Sequence, residues 1–318
     1  MTLDEFELIA RYFSRPSVRR DVLLGVGDDA ALLEVPAGQA LAAATDTLVE
    51  GRHFLPDAPP ESVGHQALAV NLSDLAAMGA EPAWALLALS VPQPDTHWLD
   101  GFARGFHALA RRAGLALVGG DTVRGPRVVT VQVLGFVPAA LALRRAGARP
   151  GDALYVSGTL GDAAAGLELL RGGGAADTDS PLVRRYRFAE PRLALGMALR
   201  GVASAAMDVS DGLLGDLGKL CDASGVGAIL NLERLPLSPA LLASFDAASA
   251  ERFALGGGDD YELVFTVPTA AAQEFETTLG AAGTITRIGE IVAGHGVRCQ
   301  RAGRTVELGI AGYDHFSV

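Results

Sequence analysis

Short apolar runs of strand character alternate with segments of helical spacing along almost the whole chain, and this alternation most constrains the fold. In the first half, strands are expected at Ala30–Val35, Ala40–Thr45, Ala83–Val91 and Leu115–Val118, with a long β-rich segment over Val128–Val137. Helices are expected from a Thr2–Glu5 capping box to about Tyr12, from Ser62 to Met78 with Gly79 as C-terminal cap, and over Thr96–Ala113. Residues 138–150, rich in Ala, Arg and Gly, read as a connector. Beyond it, strands at Ala153–Ser157, Ala205–Val209, Ile229–Leu232 and Tyr261–Val267 alternate with helices at Gly161–Leu170, Leu213–Ala223, Pro239–Phe245 and Ala270–Leu279. Pro191 suits the first turn of a further helix, and residues 171–180, with three consecutive glycines, read as a mobile surface loop. Two α/β halves, 1–138 and 150–318, are the natural division. The tripeptide Gly-Gly-Asp occurs at 119–121 and again at 257–259, too short an echo to make a repeat.

Charge narrows the function. The 318 residues carry 26 Lys+Arg against 37 Asp+Glu, a formal net charge of −11. That balance argues against a nucleic-acid binder, which needs a basic face to replace phosphate counterions, and it offers no polybasic patch for an anionic membrane. Lys219 is the only lysine, and Gly218-Lys219-Leu220 lacks the glycine spacing of a phosphate loop, so nucleotide chemistry here needs another cradle. The acidic start Met1-Thr2-Leu3-Asp4-Glu5 has no signal-peptide pattern, and the longest apolar stretch, near Ala83–Val91, is too short to span a bilayer. Cys221 and Cys299 form neither a metal-ligand spacing nor a disulfide framework. A soluble cytoplasmic protein is expected.

The aspartates are clustered. Asp28-Asp29, Asp46, Asp74, Asp121, Asp208 and Asp211 lie where strand or helix signals meet glycine or small residues. Asp beside Gly is ordinary turn chemistry, and that reading competes at each cluster taken singly. Asp74 escapes it, because Asn71-Leu-Ser-Asp-Leu-Ala-Ala-Met78 sits inside a helix and an unpaired carboxylate against a core is costly. Asn71 and Asp74 are three apart, on one helix face. Asp46 follows an apolar strand and is expected at its C-terminal edge. Converging carboxylates repel unless cations lie between them, and hard divalent ions, Mg²⁺ above all, prefer oxygen ligands and share their shells with phosphates. A multi-Mg²⁺ nucleotide site is the inference from chemistry alone.

Phosphate contacts also have candidates. Gly119-Gly120 permits close backbone approach, Ser210 and Gly212 precede a helix N-terminus, and Arg144-Arg145 offers a bidentate fork. Against these stand ordinary glycine turns and solvated arginines. His53 follows the Asp46 segment and is placed to meet an anionic substrate, whereas His65, His97, His107, His295 and His315 have no partner pattern.

Gly25-Val-Gly-Asp-Asp29, Ala44-Thr-Asp-Thr47, Asn71-Leu-Ser-Asp-Leu-Ala-Ala-Met-Gly-Ala80, Gly119-Gly-Asp-Thr122, Asp208-Val-Ser-Asp-Gly-Leu213, Gly256-Gly-Gly-Asp-Asp-Tyr-Glu-Leu263 and Gly312-Tyr-Asp-His-Phe316 together resemble the bacterial thiamine-monophosphate kinase family, end to end. The resemblance implies a two-domain α/β (α+β) fold like that of aminoimidazole ribonucleotide synthetase, whose N-terminal domain pairs sheets in a homodimer. It implies ATP-dependent conversion of thiamine monophosphate to thiamine diphosphate. Carried over by position, Asp29, Thr45, Asp46, Asp74, Asp121, Asp208 and Asp211 resemble Mg²⁺ ligands. Gly120, Asp121, Arg145 and Ser210 resemble ATP contacts, and His53, Asp259 and Tyr313 resemble contacts to thiamine monophosphate. Two positions depart from the pattern: Ala44 stands where a hydroxyl residue is usual, and Asp259 where Glu is usual. Three other readings remain. They are an ATP-dependent synthetase on the same fold, a metal-dependent phosphohydrolase, which usually adds histidine ligands, and a non-catalytic nucleotide sensor.

Overall fold

A computed structural model describes residues 4–15, 19–172, 180–278 and 285–308. The chain forms two compact units, Met1–Leu75 with Ala80–Ala140, and Ala76–Gly79 with Leu141–Val318. No described helix is long and apolar enough to cross a membrane. The expected Thr2–Glu5 capping box and the 173–179 part of the glycine loop lie outside the described residues.

In the first unit, α1 (Glu5–Leu8) starts at a reciprocal pair other than the expected one. The Glu7 amide donates to Asp4 Oδ1 at 2.8 Å, and the Asp4 amide donates to Glu7 Oε2 at 3.1 Å. A wider turn, Ile9–Phe13, continues it and closes with the Ser14 amide on the Ile9 carbonyl, 2.9 Å. Strands β1 (Val22–Leu24) and β2 (Leu32–Leu33) form a small antiparallel pair. Then follow β3 (Gln39–Val49), α2 (Pro60–Ala77), β4 (Glu81–Val91), α3 (Thr96–Arg112), β5 (Ala116–Arg124) and β6 (Val128–Pro138). The sheet order is β3-β6-β4-β5, antiparallel except for β4–β5, the pair that α3 connects as a βαβ crossover. Gly79, at φ +63°, ends α2 in a Schellman motif: its amide bonds the Ala76 carbonyl and the Ala80 amide the Leu75 carbonyl. Asp95 caps α3, accepting from the amides of His97 and Trp98. α2 and α3 approach closely because Gly64 faces the Phe102 carbonyl and Gly105 the Glu61 carbonyl, where a Cβ would overlap backbone.

The second unit is built on β7 (Ala153–Ser157), β8 (Ala205–Val209), β9 (Gly227–Asn231), β10 (Glu262–Val267), β11 (Ile285–Val292), β12 (Gly296–Arg301) and β13 (Arg304–Val306), in the order β13-β12-β9-β11-β7-β10-β8. Its helices are α4 (Asp162–Arg171), α5 (Pro181–Arg187), α6 (Leu193–Ala198), α7 (Leu213–Ser224), α8 (Pro239–Ser244), α9 (Ala247–Gly256) and α10 (Thr269–Thr278). Every pairing is antiparallel except β9–β12. Strands β7, β8 and β10 are buried throughout, since both sheet faces are covered. Leu154, Val156, Met207, Val209 and Val264 pack on one side with Leu213, Leu217 and Leu220 of α7. Tyr155, Ala206, Leu263, Phe265 and Val267 pack on the other with Phe275 of α10. Pro191 lies just before α6 rather than in its first turn. The two Gly-Gly-Asp tripeptides have different settings, the first inside β5 and the second between α9 and β10.

Candidate functional site

In the first unit the site grows from α2. From Ser62 to Ala77 every residue is buried except Asp74, which is half-buried. A helix enclosed on all sides thus opens to the surface at one carboxylate. One turn earlier, Asn71 is fully buried; its Nδ2 donates to the Ala67 carbonyl at 3.0 Å, and its Oδ1 accepts the Asp46 amide at 3.0 Å. Asn71 therefore ties α2 to β3 at Asp46, a link that sequence spacing alone did not supply. Asp46 does not end its strand: β3 continues to Val49, because Thr47–Val49 still pair with Val128–Thr130. Four residues past the strand, His53 accepts the Val49 amide on Nδ1 at 3.1 Å, so a neutral His53 ring carries its proton on Nε2.

Strand alternation sorts the remaining candidates. Thr45 lies on the face opposite Asp46, and its hydroxyl donates to the Val131 carbonyl at 3.0 Å. Asp121 is inside β5, which runs to Arg124, and pairs with Ala88, itself aligned with Thr130 and Thr47 on Thr45's face. β3 and β5 are the two edges of a four-stranded sheet, about 14 Å apart at ~4.8 Å per strand. Asp46 and Asp121 therefore occupy opposite faces and opposite edges, and within one chain they do not converge. The expected convergence of the aspartates on one site is therefore not present for this pair within a single copy. Gly120, at φ +152°, is required for a second reason, since a Cβ there would strike the Leu87 backbone of β4. Asp29 lies in the β1–β2 connection, with its amide on Asp28 Oδ1 at 2.8 Å. Asp121 also borders a 360 Å³ cleft lined by Leu8, Val91, Gln93, Pro94 and Val123.

In the second unit, β8 ends at Asp208-Val209 and runs into Ser210-Asp211-Gly212 and α7. Gly212, at φ +104°, begins α7 with no side chain to cap it, and a Cβ there would lie 2.8 Å from Gly256. The turn before β10 packs on this loop: the Asp259 amide donates to the Ser210 carbonyl at 3.0 Å and the Tyr261 amide to the Val209 carbonyl at 2.8 Å. Asp259 and Tyr261 both have left-handed backbones, φ +68° and +51°, a strain typical of functional turns. Burial pushes the Asp259 carboxyl up to about 6, against the Tyr261 hydroxyl that donates to it at 3.0 Å. Burial also pushes Asp260 up to about 8, although its carboxylate accepts the Gly161 amide at 2.7 Å. Behind the turn, fully buried Glu262 is held by Arg185, Arg192 and the Ser157 hydroxyl. The Arg144–Ala148 segment is fixed by its backbone, with the Ala206 amide on the Arg144 carbonyl at 2.9 Å and the Ser224 hydroxyl on the Arg145 carbonyl at 2.8 Å. The Arg145 side chain is exposed. Tyr313 lies outside the described residues.

Sequence reasoning missed Asp216 and Lys219. Asp216 is fully buried in the first turn of α7 and accepts the amides of Ser210 and Asp211, both at 2.9 Å. Lys219 Nζ donates to Asp211 at 2.6 Å and to Asp216 at 2.9 Å. An acidic residue four positions after Gly212 was the available signal. Among the described residues, no three His, Cys, Asp or Glu gather closely enough to hold an ion unaided. The donors at hand are carboxylates, hydroxyls and carbonyls, which fits a hard cation that completes its shell with water and phosphate oxygens.

Residues 27–137 match the model for AIR synthase related protein, N-terminal domain, and residues 149–301 match that for the C-terminal domain. The thiamine-monophosphate kinase of Escherichia coli (strain K12) is 49% identical over 324 residues, spanning 100% of this chain and 99% of the relative. The crystal structure of the thiamine-monophosphate kinase from Stenotrophomonas maltophilia K279a matches with a TM-score of 0.87 at 44% identity, over 96% of this chain and 99% of that one. A solved structure described as AaThiL complexed with AMPPCP and TMP matches with a TM-score of 0.78 at 34% identity, over 89% of each chain. The chain belongs to the AIR synthase related proteins and, among them, to the thiamine-monophosphate kinases.

Proposed function

We propose that this chain transfers the γ-phosphoryl group of ATP to the phosphate of thiamine monophosphate, giving thiamine diphosphate and ADP. The observation that carries the reading is Asp74, the one partly open position between Ser62 and Ala77 of α2, one turn after the Asn71 that holds the Asp46 amide, in a chain 49% identical to a thiamine-monophosphate kinase. The AMPPCP and TMP held by a 34% identical relative support the same pair of substrates here.

Transfer is direct and in line. A phosphate monoester, with its second pKa at about 6, is already dianionic at neutral pH and needs no strong general base. The difficulty is bringing two polyanions together, which is a matter of positioning and charge neutralisation. Mg²⁺, when bound, supplies that neutralisation. Asp29, Asp46, Asp74, Asp121, Asp208 and Asp211, with Thr45 beside them, are the residues assigned to hold it. Gly120, Arg145 and Ser210 are assigned to ATP. His53, through Nε2–H, and Asp259 are assigned to thiamine monophosphate, together with Tyr313. Residues 1–138 then form the Mg²⁺–ATP and dimer domain, and 150–318 the domain that completes the site, in a cytoplasmic enzyme.

One face of the first unit's sheet supports a homodimer. The face of β3, β6 and β4 that carries Leu41, Ala43, Thr45, Thr47, Thr130 and Ala88 is uncharged at those positions, with Glu81 at its end, and Leu41 is 43% exposed. Two copies of a chain with net charge −11 can meet at its uncharged centre with the carboxylates kept to the margins. A second copy on this face would bring its own Asp121, which lies on the same face as Thr45, to the first copy's Thr45 side.

The test is product analysis. Purified protein with Mg·ATP and thiamine monophosphate is expected to form thiamine diphosphate and ADP in equal amounts. ADP without thiamine diphosphate would mean another acceptor, and neither product would remove the kinase reading.

A further inference from the structure

The only lysine of the chain, in the second turn of α7, is tied to the loop that precedes that helix. Lys219 Nζ lies 2.6 Å from Asp211 Oδ2 and 2.9 Å from Asp216 Oδ1. The other oxygen of Asp216 accepts the amides of Ser210 and Asp211, each at 2.9 Å. Both Asp216 oxygens are thus engaged, and the residue is fully buried, whereas the side chains of Lys219 and Asp211 are 44% and 32% exposed. Gly212 gives α7 no capping side chain; Asp216, from inside the first turn, binds the loop that precedes the helix, and its own amide closes that turn on the Gly212 carbonyl at 3.0 Å. An isolated surface ion pair contributes little. Here the ammonium is anchored on a carboxylate that cannot move, so it fixes the rotamer of one that can.

We infer that Asp216 and Lys219 are positioning residues: a clamp that sets the Ser210–Asp211 backbone and presents the Asp211 carboxylate in the orientation that receives the metal–nucleotide. The inference rests on the reading of Asp211 as a metal ligand. It assigns neither residue a contact with substrate. Lys219 holds Asp211 before the ion arrives, and Asp216 retains the ammonium once Asp211 turns to the ion.

The test is Mn²⁺ binding followed by electron paramagnetic resonance with AMPPCP present, alongside steady-state kinetics and denaturation. Lys219→Met keeps the stem and removes the ammonium. It is expected to raise the half-saturating Mn²⁺ concentration about fivefold and the KM for Mg·ATP similarly, while the KM for thiamine monophosphate stays within twofold. Lys219→Arg, which can span both carboxylates, is expected to restore both values to within twofold. Asp216→Asn is expected to act in the same direction and more strongly, but Lys219, being exposed, decides the matter if that variant fails to fold. Unchanged Mn²⁺ binding in folded Lys219→Met would overturn the clamp, and so would tighter binding, which would make Lys219 a competitor. Asp211→Asn separates the two levels. If it leaves Mn²⁺ binding untouched, the ligand reading fails; if it weakens binding and Lys219→Met does not, only the clamp fails.

Discussion

Asp74 and Asp260 show how different two carboxylates can be in one chain. Asp74 opens to the surface from a buried helix, and its replacement by Asn removes a charge without removing packing. Asp74→Asn is expected to lower kcat by about 10²-fold or more, at unchanged denaturation midpoint, as judged by initial rates and urea unfolding. Asp260 faces inward, and burial raises its carboxyl to about 8. In the folded state it therefore holds a proton that the unfolded chain has released above pH ~4. Stability from this group is present below that pH and is lost as pH rises toward 8, at up to about 1.4 kcal/mol per pH unit. Asp260→Asn, whose amide oxygen can still accept the Gly161 amide, is expected to flatten that decline. Urea titrations of both proteins from pH 5 to 8 check this, and parallel curves would refute it. Asp74 was legible because a charged residue at a core helix position has few structural explanations. Asp216 and Lys219 were not, because their meaning depends on which loop folds back onto the helix.

At the scale of elements, the long strands and helices followed the apolar periodicity, and the differences lay at their ends and in the short elements β1, α5 and α9. β3 and β5 run past Asp46 and Asp121 because neighbouring strands supply pairing partners that turn-like residues cannot veto. The same effect moved Gly119-Gly120 from a loop to a strand, where Gly120 serves the close approach of β4. α5 and α9 were not anticipated, since their apolar faces are short and are completed by contact with other helices, α5 with α4 and α8, and α9 with α4, α7 and α8. The α2–α3 contact makes a sharp claim: Gly105 lies against the Glu61 carbonyl, so a methyl group has nowhere to go. Gly105→Ala is expected to destabilise by about 2 kcal/mol, even though Ala favours a helix by about 1 kcal/mol. Denaturant unfolding would show it, and a stabilised variant would contradict the packing.

For the whole molecule, Asp46 and Asp121 lie on opposite faces and edges of one sheet, so in the proposed homodimer they serve one site only if two copies contribute to it. Asp46→Asn and Asp121→Asn are each expected to be inactive alone. Mixed and re-equilibrated in equal amounts, they are expected to recover about a quarter of wild-type activity, because half of the dimers are mixed and each of those has one intact site. No recovery, with mixed dimers demonstrated by mass, would place both carboxylates in one copy. The sequence by itself determined the alternation of elements, the two halves, the family and the identity of the acidic residues, because these depend on local periodicity and on short motifs. Only the tertiary structure decided which face each aspartate takes, which buried side chain orients it and which glycines admit a neighbouring backbone. Strand register and the packing of one element on another are set by contacts between residues far apart in the chain, and a one-residue shift in register reverses every side chain in a strand.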